Sequence, residues 1–367
     1  MGCAVMVALA AAWTFLGQRA LDPVYPGEGV ARVARLSDYE PSLKGTPGDS
    51  EVYVLDSGQP GATVLVVGGT HPDEAAGPLT AVLLVETARV RSGRLLVIPF
   101  ANRSAFTHNL PMEGHPASFE VRTPTGPRAF KYGARLTNPI DQWPDPTVFV
   151  DPRSRQQLAG TEARNLNRAY PGKPNGTLTQ RVAYSITTLI RRERVDVAID
   201  LHESSPEYPT INTIVAHDRA AEMGAIASMN LQGKGLNIGI ELSPANLRGL
   251  SHREWGDNTQ AFAFLTETPN PSQGRLRGRT DPALIVTGRD RMYLRLAGSG
   301  RLYVEFTDRG YPVEERVGRQ VEAIQEILGA YNLMNPGVPV VIGGVPGYED
   351  LVNRGLGEFI HPAELRR

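Results

Sequence analysis

The sequence predicts a single α/β domain with a mixed, mostly parallel sheet, and three observations support this prediction. Apolar stretches rich in β-branched residues alternate along the chain with stretches of helical periodicity, which is the pattern of an α/β domain. Residues 62–67, 75–90 and 94–100 form in order a predicted strand, helix and strand, and such a unit favours parallel pairing through a right-handed crossover. Of the 367 residues, 41% are hydrophobic, which is enough to bury a full core.

The composition excludes several classes of protein. With 38 Lys and Arg against 39 Asp and Glu, the net charge is -1, so charge gives no case for binding nucleic acid or an anionic membrane. The 38 Gly and 29 Pro predict long loops between regular elements. Cys3 is the only cysteine, which excludes an internal disulfide and a cysteine-based metal site. Any metal must therefore be held by His and carboxylate ligands.

The N-terminal segment raises a question of targeting. Residues 3–16 are almost wholly apolar, short for a transmembrane helix but of the length of a signal-peptide core. No Lys or Arg precedes this segment, and the first basic residue is Arg19. We predict a signal or anchor at residues 1–20 and an extracytoplasmic location, secreted or anchored to the envelope. The alternatives are a cytoplasmic protein whose N-terminus packs on the domain, or a start codon assigned in the wrong place.

The first half of the chain contains the opening strands and a long loop. Residues 21–50 are rich in Pro, Gly and charge and predict an irregular lead-in, while residues 51–55 alternate like a half-exposed edge strand. The strand, helix and strand unit follows. Residues 101–164 show no convincing periodicity, and structureless segments of this length are usually functional or disordered. Their aromatic residues favour an ordered excursion over the domain surface.

The second half returns to regular structure. A capping box at Thr177–Gln180 begins a helix that should end near Arg194, and residues 195–202 are predicted to form a third buried strand. Further elements are predicted in chain order as strands at 210–215, 261–266 and 301–306, and helices at 219–231 and from Pro312 through Leu328. The domain is predicted to span residues 21–335. Residues 336–367 would form a tail, either packed on the domain or mobile.

His71 and Glu74 lie three residues apart in the turn that follows the strand at 62–67. Ligands of α/β sheets bind at the carboxyl ends of the strands, and His202 is predicted at such an end as well. Two neighbouring ligands on a turn and a distant third at another strand end match a catalytic zinc site. Asp200 shares the face of His202 on its strand and could orient that imidazole. The alternative is that each histidine is a satisfied core or rim residue.

Glu267 and the segment around Asn167 add groups that could act on a substrate. Glu267 follows the predicted strand 261–266, where a carboxylate beside a metal-bound water could serve as general base and then as general acid. Asn167 and Arg168 place donors suited to a carboxylate in a loop. The alternatives are a solvent-exposed strand-end carboxylate and a solvated basic loop.

In their order along the chain, these motifs resemble those of the zinc carboxypeptidase superfamily, in particular its succinylglutamate desuccinylase/aspartoacylase-like branch. The motifs are His71-x-x-Glu74, Asn167-Arg168 followed by Pro171-Gly172, Asp200-Leu201-His202, and Glu267. The resemblance covers residues from about 62 to 330. It implies a three-layer α/β/α fold and one zinc ion per chain, held by His71, Glu74 and His202. It also implies that Glu267 is the base that activates zinc-bound water, and that Asn167 and Arg168 hold a substrate carboxylate.

The arginine that stabilises the oxyanion in this family is matched less directly. Arg135 is similar to the arginine that precedes the Asn-Arg pair in the desuccinylase-like branch, although an apparent insertion follows it, and Arg164 is the alternative. Carboxypeptidases also place a tyrosine upstream of the catalytic glutamate. Here no tyrosine lies between Tyr208 and Tyr293, and His252 falls in that stretch. The loop that covers the substrate must therefore be built differently.

The resemblance implies a zinc-dependent amide hydrolase that cleaves a C–N bond next to a carboxylate-bearing residue. It would be either a desuccinylase/aspartoacylase-like deacylase or a metallocarboxypeptidase. Its partner would be a small molecule or peptide with a free carboxylate, with no nucleic acid and with membrane contact only through the N-terminal segment. The alternative from another class is a non-catalytic protein that binds a carboxylate ligand or peptide in the same pocket. Glu267 favours the enzyme, since a binding protein needs no base.

Overall fold

The structure is a computed structural model that describes residues 2–362. Its strands, in chain order, are β1 (Val30–Arg35), β2 (Glu51–Asp56), β3 (Thr63–Val67), β4 (Arg89–Ser92), β5 (Arg94–Ile98), β6 (Ser118–Thr123), β7 (Gly126–Lys131), β8 (Val148–Val150), β9 (Gln157–Ala159), β10 (Val197–Ser204), β11 (Thr213–Ala216), β12 (Gly239–Leu242), β13 (Phe262–Pro269) and β14 (Val341–Gly343). Its α-helices are α1 (Gly2–Arg19), α2 (Ala76–Thr87), α3 (Leu178–Arg192), α4 (Ala221–Gly233), α5 (Ser251–Asn258), α6 (Pro282–Thr287), α7 (Arg291–Leu296), α8 (Val313–Met334) and α9 (Tyr348–Arg354).

Eight strands form one central sheet in the order β1-β2-β5-β3-β10-β13-β11-β12. The four strands at its centre, β5, β3, β10 and β13, are mutually parallel. On one side, β2 is antiparallel to both β5 and β1, and on the other side β11 is antiparallel to β13. The predicted mixed sheet with a parallel centre is confirmed. In this arrangement the carboxyl ends of β3, β10 and β13 meet at one edge of the sheet.

Helices cover both faces of the sheet and give it three layers. On one face α2, α4 and α8 pack against alternate residues of the strands, in a cluster that includes Leu84, Ile199 and Ile324. On the other face α3 and α5 pack in a cluster that includes Ile186 and Trp255. Successive strand residues point to opposite faces, so β10 needs apolar side chains on both, as its run Val197-Ala198-Ile199 provides. The α/β/α fold implied by the resemblance is thus confirmed.

Several predicted element boundaries were wrong, because pairing with distant segments decides them. The helix predicted for residues 75–90 ends at Thr87, and β4 follows, pairing antiparallel with β14 near the C-terminus. The lead-in at 21–50 contains β1, which pairs with the predicted edge strand β2. The strand predicted at 301–306 does not form. In this segment Tyr303 N donates to Pro206 O, and Phe306 packs on Tyr293 instead of joining a sheet edge.

The long segment at 101–164 is ordered by short elements of its own. It contains the hairpin β6–β7 and the small pair β8–β9, together with short 3-10 helices. Phe119, Phe130 and Tyr132 are buried in a cluster shared with Phe106 and helix α8. These aromatic side chains anchor the segment to the domain.

The two ends of the described chain differ in their packing. Helix α1 has the length and apolar composition of a membrane-spanning helix or of a signal sequence, and none of its residues is buried. By contrast, the tail is attached to the domain through Leu351, Leu356 and Ile360, which are buried. Residues 363–367, the last part of the predicted tail, lie outside the described residues.

Candidate metal centre

The turn from Gly68 to Glu74 brings two ligand side chains to the carboxyl end of β3. Gly69 has a φ of 67°, and a Cβ there would lie 2.8 Å from Pro99 O, so this position requires glycine. The turn is closed by the Glu74 N–H, which donates to His71 O at 3.1 Å. His71 and Glu74 therefore point back to the same spot above the sheet edge.

His71, Glu74 and His202 come together in a buried cluster whose ligand atoms all lie within 4.8 Å of one another. The Glu74 carboxylate lies between the two imidazoles. His71 Nδ1 is 2.8 Å from Glu74 Oε1, and His202 Nδ1 is 2.8 Å from Glu74 Oε2. The structure thus joins the three residues predicted to hold zinc, and they form a site that could bind a metal ion.

The proton on His71 can be placed from its neighbours. Asn165 Nδ2 donates to Glu162 Oε2 at 2.7 Å, and Asn167 N donates to Asn165 Oδ1 at 2.9 Å, so the orientation of the Asn165 amide is fixed. His71 Nε2 lies 2.9 Å from the same Oδ1, which can only accept. Nε2 therefore carries the proton, and Nδ1 presents a lone pair toward the Glu74 carboxylate.

His202 forms an ion pair with the strand residue predicted to orient it, while the alignment of the two groups does not make a hydrogen bond. Its Nε2 lies 2.9 Å from Asp200 Oδ2, and Asp200 Oδ1 accepts a hydrogen bond from Thr70 Oγ1 at 2.8 Å. Burial alone would lower the pKa of His202, but Asp200 and Glu74 outweigh it and raise that pKa well above its ordinary value. The two carboxylates of Glu74 and Asp200 on either side of the His202 ring favour a positive charge there, either a proton on the ring or a bound cation.

These contacts fit a metal ion. Burial, together with the Arg135 guanidinium, lowers the pKa of His71 to about 4, so its ring is neutral at pH 7. A neutral Nδ1 lone pair 2.8 Å from a carboxylate oxygen is repulsive unless a cation interacts with both, and Arg135 NH1, at 3.2 Å from each, or a metal ion can supply that charge. Two imidazole nitrogens and a carboxylate are a donor set of catalytic zinc sites, with the outer nitrogens held by oxygen acceptors.

Asn165 was missed by the sequence analysis, which treated its segment only as a substrate-binding loop. We predict that Asn165→Ala weakens zinc binding about 10- to 100-fold, because the His71 ring loses the acceptor that fixes its tautomer. Zinc affinity is measured by competition with a chromophoric chelator. Asn138→Ala, which removes another buried amide but touches no ligand, should leave the affinity unchanged. Equal affinities in the two variants would contradict this role.

Arg135 lies at the site, and Arg164 does not. Arg135 NH1 is 3.2 Å from both His71 Nδ1 and Glu74 Oε1, so its guanidinium faces the ligand atoms. The Arg164 side chain is instead bound by Asp145, at 2.7 Å from its Nε, and by Thr137 O, at 2.6 Å from its NH1. Arg164 thus anchors the inserted segment, and of the two arginines it is Arg135 that faces the ligand atoms.

Asn167 and Arg168 line the cavity beside the ligands. Asn167 Oδ1 accepts from Ser251 N at 2.8 Å, which leaves its amide Nδ2 to donate into the cavity. Arg168 and Arg135 line the same cavity, and burial together with the Arg135 cation lowers the pKa of Arg168. Two guanidinium groups and the neutral amide of Asn167 line one cavity, and together they are donors suited to bind a carboxylate.

Glu267 extends β13 to the same edge of the sheet. It is the register partner of His202 on the adjacent strand β10, and its Oε2 accepts from Ser204 Oγ at 3.0 Å. Burial raises the pKa of Glu267 to about 8. A carboxyl group with a pKa near neutrality, next to the ligand cluster, is suited to accept a proton and return it.

One cavity of about 360 Å³ is lined by the three ligand residues and by the other predicted site residues, namely Arg135, Asn167, Arg168 and Glu267. His252, from helix α5, also lines this cavity. It lies in the segment between Tyr208 and Tyr293, which lacks the tyrosine that carboxypeptidases place before the catalytic glutamate. Its side chain is buried, and both ring nitrogens lack a hydrogen-bond partner among the described residues. Burial and the nearby His202 lower the pKa of His252 to about 3, so the ring is neutral.

One curated protein matches part of this chain in sequence. It is an N-alpha-acetyl-L-2,4-diaminobutyric acid deacetylase of Halomonas elongata, 26% identical over 170 residues. The match covers 45% of this chain and 35% of that protein, so the chain spans only about a third of the length of its relative. It confirms the resemblance to the desuccinylase/aspartoacylase-like branch that was inferred from the motif order.

Solved structures of a desuccinylase and of a metallo-carboxypeptidase also align with the chain. A succinylglutamate desuccinylase from Silicibacter sp. aligns over 60% of this chain and 53% of that chain, with 22% identity and a TM-score of 0.35. A metallo-carboxypeptidase from Burkholderia cenocepacia aligns over 88% and 68%, with 11% identity and a TM-score of 0.46. Similarity at this level carries no conclusion about activity. No family model matches the chain.

Proposed function

We propose that the protein is a zinc-dependent amide hydrolase that cleaves a C–N bond next to a carboxylate-bearing residue. The observation that carries this proposal is the pair of imidazole nitrogens directed at the two oxygens of Glu74, with the outer nitrogen of His71 facing Asn165 Oδ1 and that of His202 in an ion pair with Asp200. Such an arrangement orients ligands toward a cation. Two imidazoles and a carboxylate, with a fourth position left for water, are a ligand set of catalytic zinc sites.

The residues around the ligands have separate tasks in hydrolysis. When bound, zinc supplies Lewis acidity toward the scissile carbonyl and acidifies the attacking water. Glu267 takes a proton from that water and returns it to the leaving nitrogen. Arg135 donates hydrogen bonds to the carbonyl oxygen as negative charge develops on it. Asn167 and Arg168 hold the substrate carboxylate and so fix the distance of the scissile bond from Glu267.

The substrate class follows from the carboxylate anchor. Both a peptide with a free C-terminus and an N-acyl amino acid present a carboxylate one residue from an amide bond. The matched deacetylase is named for an N-acetylated amino acid. We therefore propose N-acyl amino acids and short peptides as the two substrate groups to test.

The test is a mass-spectrometric screen of zinc-loaded protein against mixed N-acyl amino acids and short peptides. The expected result is the appearance of a free amine and an acid from substrates with a free carboxylate, and none from the same substrates as methyl esters. One zinc ion per chain with no turnover of any substrate would contradict the hydrolase and favour a non-catalytic binding protein.

We also propose an extracytoplasmic location, with α1 as a signal or anchor, because this apolar helix has no buried residue. Fractionation of cells that express the full chain is expected to place it in the membrane or outside the cytoplasm. Deletion of residues 2–19 should return it to the cytoplasm. A full chain found only in the soluble cytoplasmic fraction would contradict the proposal.

A further inference from the structure

The face of the sheet that carries Glu267 continues beyond it across two more strands. Leu265, two residues before Glu267 on β13, is the register partner of Val215 on β11, and Val215 is the partner of Glu241 on β12. Register partners on adjacent strands point their side chains to the same face, as do residues two apart on one strand. Glu267, Leu265, Val215 and Glu241 therefore form one row on one face, and all four line the cavity.

The middle of this row is apolar. Leu265 and Val215 are buried, and Leu247 and Leu250 face the same cavity from the segment before α5. From Glu267 to Glu241 the path crosses two strand spacings and two residues along the strand, which places their Cα atoms about 12 Å apart. The cavity thus has polar groups at both ends and an apolar stretch between them.

Glu241 is the one carboxylate of this cavity that the ligand cluster and its supports do not use. Glu74 lies between the histidines, Glu267 is bound by Ser204, and Glu203 forms a buried ion pair with Arg316 at 2.9 Å. Glu241 Oε2 accepts only a neutral hydrogen bond, from Thr210 Oγ1 at 3.0 Å.

No cation of the described chain neutralises Glu241. Among residues 2–362, it has no Lys or Arg nitrogen within 4.0 Å. Arg253, which binds the nearby Ser243 through its Nε, directs its guanidinium to Asp218 and Asp257. Arg135 and Arg168 line the same cavity, and Arg135 lies at the ligand cluster, where its NH1 is 3.2 Å from Glu74 Oε1. The cavity thus holds cationic side chains as well as the carboxylate of Glu241, which they do not neutralise.

We propose that Glu241 binds an ammonium group of the substrate, several bonds from the scissile carbonyl. This inference rests on the proposed hydrolase and narrows its substrate to a zwitterion. The carboxylate lies against Arg168 and Asn167, the methylene chain lies over Leu265 and Val215, and the ammonium group pairs with Glu241. Complementary charges at both ends fix the orientation of the substrate and select it over neutral analogues.

The test uses two pairs of compounds in which a methyl group replaces an ammonium group of equal size. Nα-acetyl-lysine is compared with Nα-acetyl-2-aminoheptanoic acid, and 6-aminohexanoyl-alanine with heptanoyl-alanine. The first pair places the ammonium on the leaving amino acid and the second on the acyl group. Hydrolysis is measured as kcat/KM. Binding is measured by calorimetry in zinc-loaded Glu267→Gln protein, so that the affinities of the ammonium compound and its methyl analogue are compared without turnover.

In at least one pair, the ammonium compound is expected to be favoured about tenfold or more in kcat/KM and in affinity. Glu241→Gln keeps the shape and the Thr210 contact but removes the charge, and should bring that ratio close to one. Glu305→Gln, an exposed matched control outside the cavity, should leave the ratio unchanged. A ratio near one in both pairs, with measurable hydrolysis, would overturn the role of Glu241 while the hydrolase stands. A binding preference that Glu241→Gln abolishes, without hydrolysis of any compound, would support Glu241 and contradict the hydrolase.

Discussion

The wild-type protein is expected to retain one zinc ion per chain after dialysis, and His202→Ala is expected to lose it. His202 supplies one of three protein ligands, and its loss also leaves Glu74 and Asp200 as buried carboxylates without the imidazole between them. Structural zinc sites with four ligands bind with about 10–16 kcal/mol, so the loss of one ligand should weaken binding by about 10²- to 10³-fold. Metal content per chain is measured by inductively coupled plasma mass spectrometry.

The matched control for this variant is His115→Ala. His115 is another buried histidine; it contacts Arg277 and is not one of the three ligand residues. It should retain one zinc ion per chain. If His202→Ala also retained a full equivalent of zinc after dialysis, the ligand assignment would be wrong.

Glu267→Gln is expected to keep zinc and lose about 10²- to 10⁴-fold in kcat, the usual contribution of general acid–base catalysis. The amide has the shape of the carboxyl group and keeps a contact with Ser204, but it cannot take a proton from water. Because Glu267 is not one of the three ligand residues, metal content should be unchanged. Steady-state hydrolysis and metal analysis on the same preparation separate the two effects.

Glu305→Gln serves as the control for this variant too, since that exposed side chain lies away from the cavity. It should hydrolyse substrate at the wild-type rate. Turnover of Glu267→Gln within a few-fold of wild type would remove Glu267 from the role of base and leave the ligand cluster untouched.

The parts of the fold that the sequence predicted well are those decided by neighbours in the chain. The β-branched run before Gly68, the glycine turn and the helix after it are local, and the structure places His71 and Glu74 on that turn as predicted. The capping box at Thr177 likewise begins α3, where the Thr177 side chain accepts from Gln180 N. Strand ends could also be located, which is why His202 and Glu267 were expected at one edge.

The parts that were missed depend on contacts between distant residues. Nothing near Arg89 shows that it will pair with Gly343, and so the end of α2 was placed too late. The sequence of residues 301–306 is typical of a strand, but in the structure this segment does not lie beside a sheet with which it could pair. Asn165 could be recognised as a partner of His71 only once the fold had joined two segments 94 residues apart. Glu241 became informative only through its register with Val215 and Leu265.

In the proposed hydrolase, the ligand cluster of His71, Glu74 and His202 holds the zinc ion that hydrolysis requires. The most direct measurement strips the protein with a chelator and follows hydrolysis of a substrate found in the screen while zinc is added back. We predict no turnover without metal, and a linear rise that ends at one equivalent of zinc per chain. Turnover that survives complete removal of metal, or a rise that His202→Ala reproduces unchanged, would contradict the account.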